Sequence, residues 1–168
     1  TEHDKALGDR NQAVLTLARN QALLLALDQH TSPVLPSITA LKHEYQADLD
    51  TEKWQAAALH VQGQYADFSA KYKKLGDDLR HYSQTLPLAT QQEKTYRELS
   101  ANNDVSKDAW LEKQRNRMQL QAQLAEAKNQ QASLLAETRK TALDQMAEAR
   151  RVAAASARGV GRLVKYQR

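Results

Sequence analysis

The chain has 168 residues, a net charge of +4, no cysteine, five glycines, three prolines and only 5% aromatic residues. Without cysteine, a disulfide framework and a thiolate metal site are both excluded. This length is typical of one domain, and the biased composition favours long helices and coiled coil over a mixed globular fold. We therefore predict one all-α domain over residues 1–168.

The first predicted helix covers residues 2–30. Leucine and valine recur on one face at helical spacing, at Leu7, Val14, Leu17 and Leu24. So wide an apolar face near its end should be covered by other helices. Residues 31–36 contain Pro33 and Pro36, which predict a break, and Ser37 is a plausible N-cap for the next helix.

The second predicted helix covers residues 37–101 and carries the strongest periodic pattern. Apolar positions follow one another at spacings of four and three, at Trp54, Ala58, Val61, Tyr65, Phe68, Tyr72, Leu75, Leu79, Tyr82 and Leu86. This alternation keeps one seam against a partner helix, which we expect to be the stretch after residue 106. The phase is irregular before Trp54, which we interpret as a stutter. Pro87 predicts a kink or a short break near residues 83–87.

A polar turn at residues 102–105 separates this helix from a third, predicted over residues 106–165. Asn102, Asn103 and Asp104 tolerate the conformations that reverse a chain. Ser106 is expected to cap the returning helix, whose seam contains many alanines. The fold class that results is all-α: a long antiparallel coiled-coil hairpin with an additional, shorter N-terminal helix.

The sequence offers little that is typical of catalysis. Its five histidines are scattered, and it contains no zinc-protease motif, no phosphate-binding glycine loop and no nucleophile elbow. We expect a protein that is not an enzyme and that uses no cofactor and no metal.

Positive charge gathers near the C-terminus, at Arg150, Arg151, Arg158, Arg162, Lys165 and Arg168. A solvated helix end explains such a run, since cations also suit a helix C-terminus. Binding of nucleic acid through these residues is an alternative, but no recognition-module motif accompanies them. We therefore expect no nucleic-acid partner.

The turn also carries a resemblance to a known family. Leu99 is followed seven residues later by Ser106, which opens the helix Lys107-Asp108-Ala109-Trp110-Leu111. This pattern resembles the hairpin tip of the haemolysin D type membrane fusion proteins, although Thr95 stands where the family commonly has arginine. The resemblance implies a docking tip, whose candidate residues are Arg97, Leu99, Asn102, Asn103, Asp104, Val105 and Ser106.

The resemblance further implies a periplasmic adaptor of type I protein secretion in a Gram-negative bacterium. Such an adaptor links an inner-membrane ABC transporter to a TolC-type outer-membrane channel and assembles as a hexamer. The chain would then be a fragment of a larger adaptor, anchored in the inner membrane through a segment outside it. Two alternatives remain: the adaptor of a drug-efflux pump, which commonly has a simpler two-helix hairpin, and a scaffolding coiled-coil protein.

Overall fold

The computed structural model describes the backbone of residues 1–167 and the side chains of residues 1–157. Within that range the chain forms four α-helices and no strand: α1 (Glu2–Gln29), α2 (Ile38–Tyr45), α3 (Thr51–Ala101) and α4 (Lys107–Gln167). α3 and α4 pack together as a helical hairpin. The predicted fold class, an all-α hairpin with an additional N-terminal helix, is confirmed.

A side chain caps the N-terminus of each helix. The oxygen of that side chain accepts a hydrogen bond of 3.0 to 3.2 Å from a backbone N–H two or three residues later, and the four caps are Thr1, Ser37, Asp50 and Ser106. The bonds satisfy N–H groups that have no partner within their own helix. The predictions of Ser37 and Ser106 as caps are confirmed.

The predicted continuous helix over residues 37–101 is wrong between residues 46 and 50. α2 ends at Tyr45, Gln46 takes a left-handed φ of 53°, and α3 begins only at Thr51. Because of the break, Ala47 and Leu49 lie in an apolar cluster, where they are 7% and 3% exposed. The irregular phase before Trp54 therefore marks a break that burial stabilises, and a stutter is excluded.

Pro87 lies inside α3, and the predicted short break at residues 83–87 does not occur. Proline has no N–H, so the carbonyl of Ser83 loses its usual partner. Two threonine hydroxyls near the proline donate to other carbonyls of the helix, Thr85 to that of His81 at 2.9 Å and Thr90 to that of Leu86 at 2.8 Å. Ala89, two residues beyond the proline, is 5% exposed, so an uninterrupted helix keeps the seam packed.

The described chain divides into two compact units, which comprise residues 1–69 with 136–168 and residues 70–135. In the first unit α1 contributes residues to two apolar clusters among the described residues. One cluster joins α1 to the segment after Pro33, to α2 and to the start of α3, and its buried members are Val14, Leu15, Ala18, Leu35, Leu41, Ala47 and Leu49. The other joins Ala13 and Leu17 of α1 to Met146 and Ala149 of α4.

This packing corrects the expectation that the seam of residues 54–86 lies only against the helix after residue 106. Trp54, Ala57 and Ala58 pack against the cluster built on α1, and the Trp54 indole donates to the carbonyl of Pro36 at 2.9 Å. Met146 and Ala149 likewise face α1. Because α1 has a wide apolar face, it covers seam positions that a two-helix coil would have paired directly.

In the second unit α3 and α4 contact each other directly. Gln131 of α4 donates to the carbonyl of Tyr72 at 3.4 Å, and Lys113 of α4 lies 5.1 Å from the centre of the Tyr96 ring. Gly76 leaves room for the Gln131 side chain, because a Cβ at residue 76 would lie 3.3 Å from its amide nitrogen. The turn that joins the two helices belongs to this unit.

Candidate docking site at the helical turn

Backbone hydrogen bonds fix the turn that ends α3. The N–H of Asn103 donates to the carbonyl of Ser100 at 3.1 Å, and the N–H of Asp104 donates to that of Leu99 at 2.8 Å. Asn103 has a left-handed φ of 61°. These bonds form a Schellman motif, with asparagine at the position where glycine is usual. The turn is thus a defined structure that presents its side chains in a fixed order.

Most of the candidate docking residues are exposed. Arg97, Asn102, Asn103, Asp104 and Ser106 face solvent, whereas Leu99 and Val105 are half-buried. A shallow depression lies on this surface, lined by Ser100, Asn103, Asp104, Val105, Ser106 and Lys107. The structure brings the predicted residues into one region, with Leu99 partly covered instead of fully projecting. Their role in docking stays a prediction.

Ser106 has two hydrogen-bonding functions available at the start of α4. Its hydroxyl oxygen accepts from the N–H of Ala109 at 3.1 Å, which leaves the hydroxyl proton unused by that bond. Asp108 lies in the first turn of the helix, where a negative charge is favourable. The site can therefore hydrogen-bond to polar groups of a partner through side chains that the fold already holds in place.

Arg97 is held by a carboxylate that the sequence reasoning missed. Glu93 of α3 is a buried acidic residue, with a side chain only 7% exposed. One of its oxygens lies 3.9 Å from Nη1 of Arg97, and the other lies 3.7 Å from Nε of Arg117 on α4. The Arg97 side chain is 55% exposed, so it lies beside the Glu93 carboxylate and is also accessible to solvent.

A signal for Glu93 was present in the sequence. The spacing of four and three continues past Leu86 through Ala89, Glu93 and Tyr96, which places Glu93 on the seam. On α4, Arg117 also donates to Gln121 at 2.8 Å, and Gln121 is among the polar positions that the heptad pattern assigns to this seam. Near the turn, polar contacts replace the apolar ones that hold the first unit together.

The basic residues near the C-terminus form no site that the structure describes. Arg150 and Arg151 are exposed, and Arg151 pairs with Glu148 one turn earlier. The side chains of Arg158, Arg162, Lys165 and Arg168 lie outside the described residues. In the part of the chain with described side chains, no three His, Asp or Glu residues are grouped as metal ligands would be.

No helix among the described residues combines the length and the apolar character that crossing a bilayer requires. The fold and the turn instead define a class, the helical hairpin domains in which two long helices meet at a capped polar turn. Over residues 1–167 the chain matches the family described as the alpha-helical hairpin domain of CyaD, and it belongs to that family.

Two relatives carry the same name. Protein CyaD of Bordetella pertussis, from two strains, is 32% identical over 145 residues, which cover 86% of this chain and 31% of the relative. The chain thus spans about a third of the length of these relatives. The resemblance to the membrane fusion proteins of type I secretion is confirmed.

Proposed function

We propose that this chain is the helical hairpin part of a periplasmic adaptor that serves type I protein secretion. The observation that carries the proposal is the capped turn between α3 and α4, with Leu99 at the end of one helix and Ser106 at the start of the next, in a CyaD-family hairpin. In this proposal the adaptor is not an enzyme. It joins an inner-membrane ABC transporter to a TolC-type outer-membrane channel and self-associates as a hexamer.

The turn is the proposed contact with the channel. Its exposed amides, the free hydroxyl proton of Ser106 and the half-buried Leu99 suit a partner that ends in helices and loops of its own. Arg97, which forms an ion pair with Glu93, supplies a positive charge near the turn. The inner-membrane anchor and the contact with the transporter are assigned to parts of the adaptor outside this chain.

The test is export by the full-length adaptor carrying Leu99→Glu and Ser106→Glu together. We expect export of the substrate to be lost while helicity stays close to that of the unaltered protein, because Leu99 is outside the apolar clusters and the cap lost at Ser106 costs only about 1 kcal/mol. The matched control is Gln92→Glu with Gln119→Glu, at exposed positions of α3 and α4 away from the turn. Undiminished export by the turn variant would contradict the proposal.

A photo-crosslinking residue at Asn103 tests the partner separately. Asn103 is exposed, and its φ of 61° places it at the bend of the turn. We expect a crosslinked product that contains the outer-membrane channel, and none when the crosslinker replaces Gln119. A product containing only the transporter would show that the docking partner is misassigned.

An adaptor of a drug-efflux pump is the second candidate. α1 and α2 favour the secretion branch, because efflux adaptors commonly have a plain two-helix hairpin. The neighbouring transporter distinguishes the two, since an ABC exporter supports secretion and a proton-driven pump supports efflux. A scaffolding coiled coil is disfavoured, because α3 is partnered by α4 of the same chain.

A further inference from the structure

A recess lies between α1 and α3 in the unit formed by residues 1–69 and 136–168. Its volume is about 280 Å³. Three basic side chains line it, Arg19 from α1 and Lys53 and His60 from α3, and an apolar floor is formed by Leu15, Ala56 and Ala57. The recess is far in sequence from the turn at residues 102–105 and has no part in the proposed docking.

Arg19 is a charged group without a charged partner. Its Nη1 donates to the Gln64 side chain at 3.1 Å, and among the described residues no carboxylate pairs with it. Burial lowers the pKa of Arg19, which shows that its guanidinium is partly withdrawn from water. Such a group retains unused N–H donors, and withdrawing it from water without a counterion is unfavourable.

The neighbouring histidine reports the positive charge at this recess. His60 has a lowered pKa, caused by burial and by the positive charge of Arg19. The carboxylates of Asp9 and Glu148 line a different groove, between α1 and α4. The lining of the recess between α1 and α3 includes the cations Arg19 and Lys53 and no carboxylate.

We propose that this recess binds the carboxylate of a glutamate or aspartate from an acidic segment of a partner protein. Arg19 and Lys53 would donate to the two carboxylate oxygens, a charge-assisted arrangement that is stronger than a neutral hydrogen bond. The floor of Leu15, Ala56 and Ala57 would receive the methylene groups of the acidic side chain. A phosphate ion has no such apolar part, so an acidic side chain fits the recess better.

The experiment uses the whole chain and a blocked peptide, Ala-Ala-Glu-Ala-Ala, titrated by NMR while the ring signals of His60 are followed. We expect saturable shifts and a rise in the His60 pKa when the peptide is bound, because a nearby anion favours the charged imidazole. The peptide with glutamine in place of glutamate should cause no saturable shift. Inorganic phosphate, titrated alone, should bind more weakly than the glutamate peptide.

Arg19→Gln and Lys53→Gln should each weaken binding about tenfold, since each removes one charged donor. Arg80→Gln is the matched control, because Arg80 is exposed and pairs with Asp77 in the other unit. If Arg19→Gln unfolds, as judged by circular dichroism, the exposed Lys53 variant carries the test alone. Linear shifts, equal shifts with the glutamine peptide, tighter binding of phosphate or unchanged binding by Lys53→Gln would each overturn the proposal. None of these outcomes depends on export.

Discussion

Three helices end on a residue with a left-handed φ, and none of these residues is glycine. They are His30, Gln46 and Asn103, with φ values of 55°, 53° and 61°. At each end the N–H of the following residue donates to a carbonyl five residues back, at 3.4, 3.2 and 2.8 Å respectively. Asparagine tolerates this conformation better than other non-glycine residues, whereas histidine and glutamine carry the steric cost of their Cβ.

Gln46→Gly should therefore stabilise the protein. Glycine removes the steric cost, so we expect the free energy of unfolding to rise by up to about 1 kcal/mol. The exposed bond from the Gln46 amide to the carbonyl of His43, at 3.2 Å, is lost and reduces the gain slightly. Gln62 is exposed to solvent and lies well inside the length of α3, so Gln62→Gly should lower stability by about 1 kcal/mol. Urea denaturation measures both, and a loss of stability in Gln46→Gly would contradict the strain argument.

Glu93 provides a second test at a single side chain. Its carboxylate lies between two arginines and is almost fully covered, so Glu93→Gln removes a charge that both of them use. We expect a loss of about 1–2 kcal/mol in the free energy of unfolding. Glu98→Gln changes an exposed carboxylate on the same helix and should leave stability within about 0.5 kcal/mol. Equal effects of the two changes in thermal denaturation would show that Glu93 is not structurally important.

Among the elements, α1 contributes most to the packing of its unit. Ten of its residues are buried, and they reach both apolar clusters. Its sequence alone gives it little independent stability, because most helix stability in proteins comes from packing of an apolar face. The element is therefore expected to depend on a few deeply buried leucines.

Leu27→Ala tests that dependence, with Leu25→Ala as its control two residues away. Leu27 is 1% exposed and Leu25 is 55% exposed. Truncating a buried leucine removes apolar contacts and leaves a cavity, so we expect a loss of about 2–5 kcal/mol for Leu27→Ala. Leu25→Ala should cost less than about 1 kcal/mol. Chemical denaturation followed by circular dichroism compares them, and similar losses would show that α1 is not anchored as described.

α3 contains the other element-level test, at Pro87. A proline in a helix interior costs about 3 kcal/mol relative to alanine when nothing compensates. Alanine would restore the N–H that the carbonyl of Ser83 lacks, so we expect Pro87→Ala to stabilise the protein by about 1–3 kcal/mol. Ser83→Ala, at an exposed site one turn earlier, should change stability by less than about 0.5 kcal/mol. If Pro87→Ala does not raise the melting temperature, the proline does not destabilise α3 as we expect.

Across the whole molecule, burial is unevenly shared between the two compact units. In the unit of residues 70–135, the buried residues are Ala89, Glu93 and Ala127. The other unit contains both apolar clusters described above and, among the residues with described side chains, every buried leucine. Local stability follows buried apolar contacts, so the unit that contains the candidate docking turn should open more readily.

Hydrogen exchange measures this difference directly. We expect backbone amides of residues 13–27 in α1 to exchange at least about tenfold more slowly than those of residues 108–126 in α4, because the former lie in a packed cluster. Both stretches are helical, so a difference in hydrogen bonding does not explain the expected result. Equal or reversed protection would contradict the uneven distribution of stability.

The sequence by itself determined the helical class, the caps at Ser37 and Ser106, the reversal after Leu99 and the resemblance of the turn to a secretion family. These features depend on local chemistry: helical periodicity, short polar side chains that bond to their own backbone, and asparagine in a left-handed turn. Only the tertiary structure decided that α1 covers the first turns of α3, that residues 46–50 interrupt the helix and that α3 continues through Pro87. In each of these cases burial of an apolar face outweighs the local preference, because packing energy depends on neighbours that are distant in sequence.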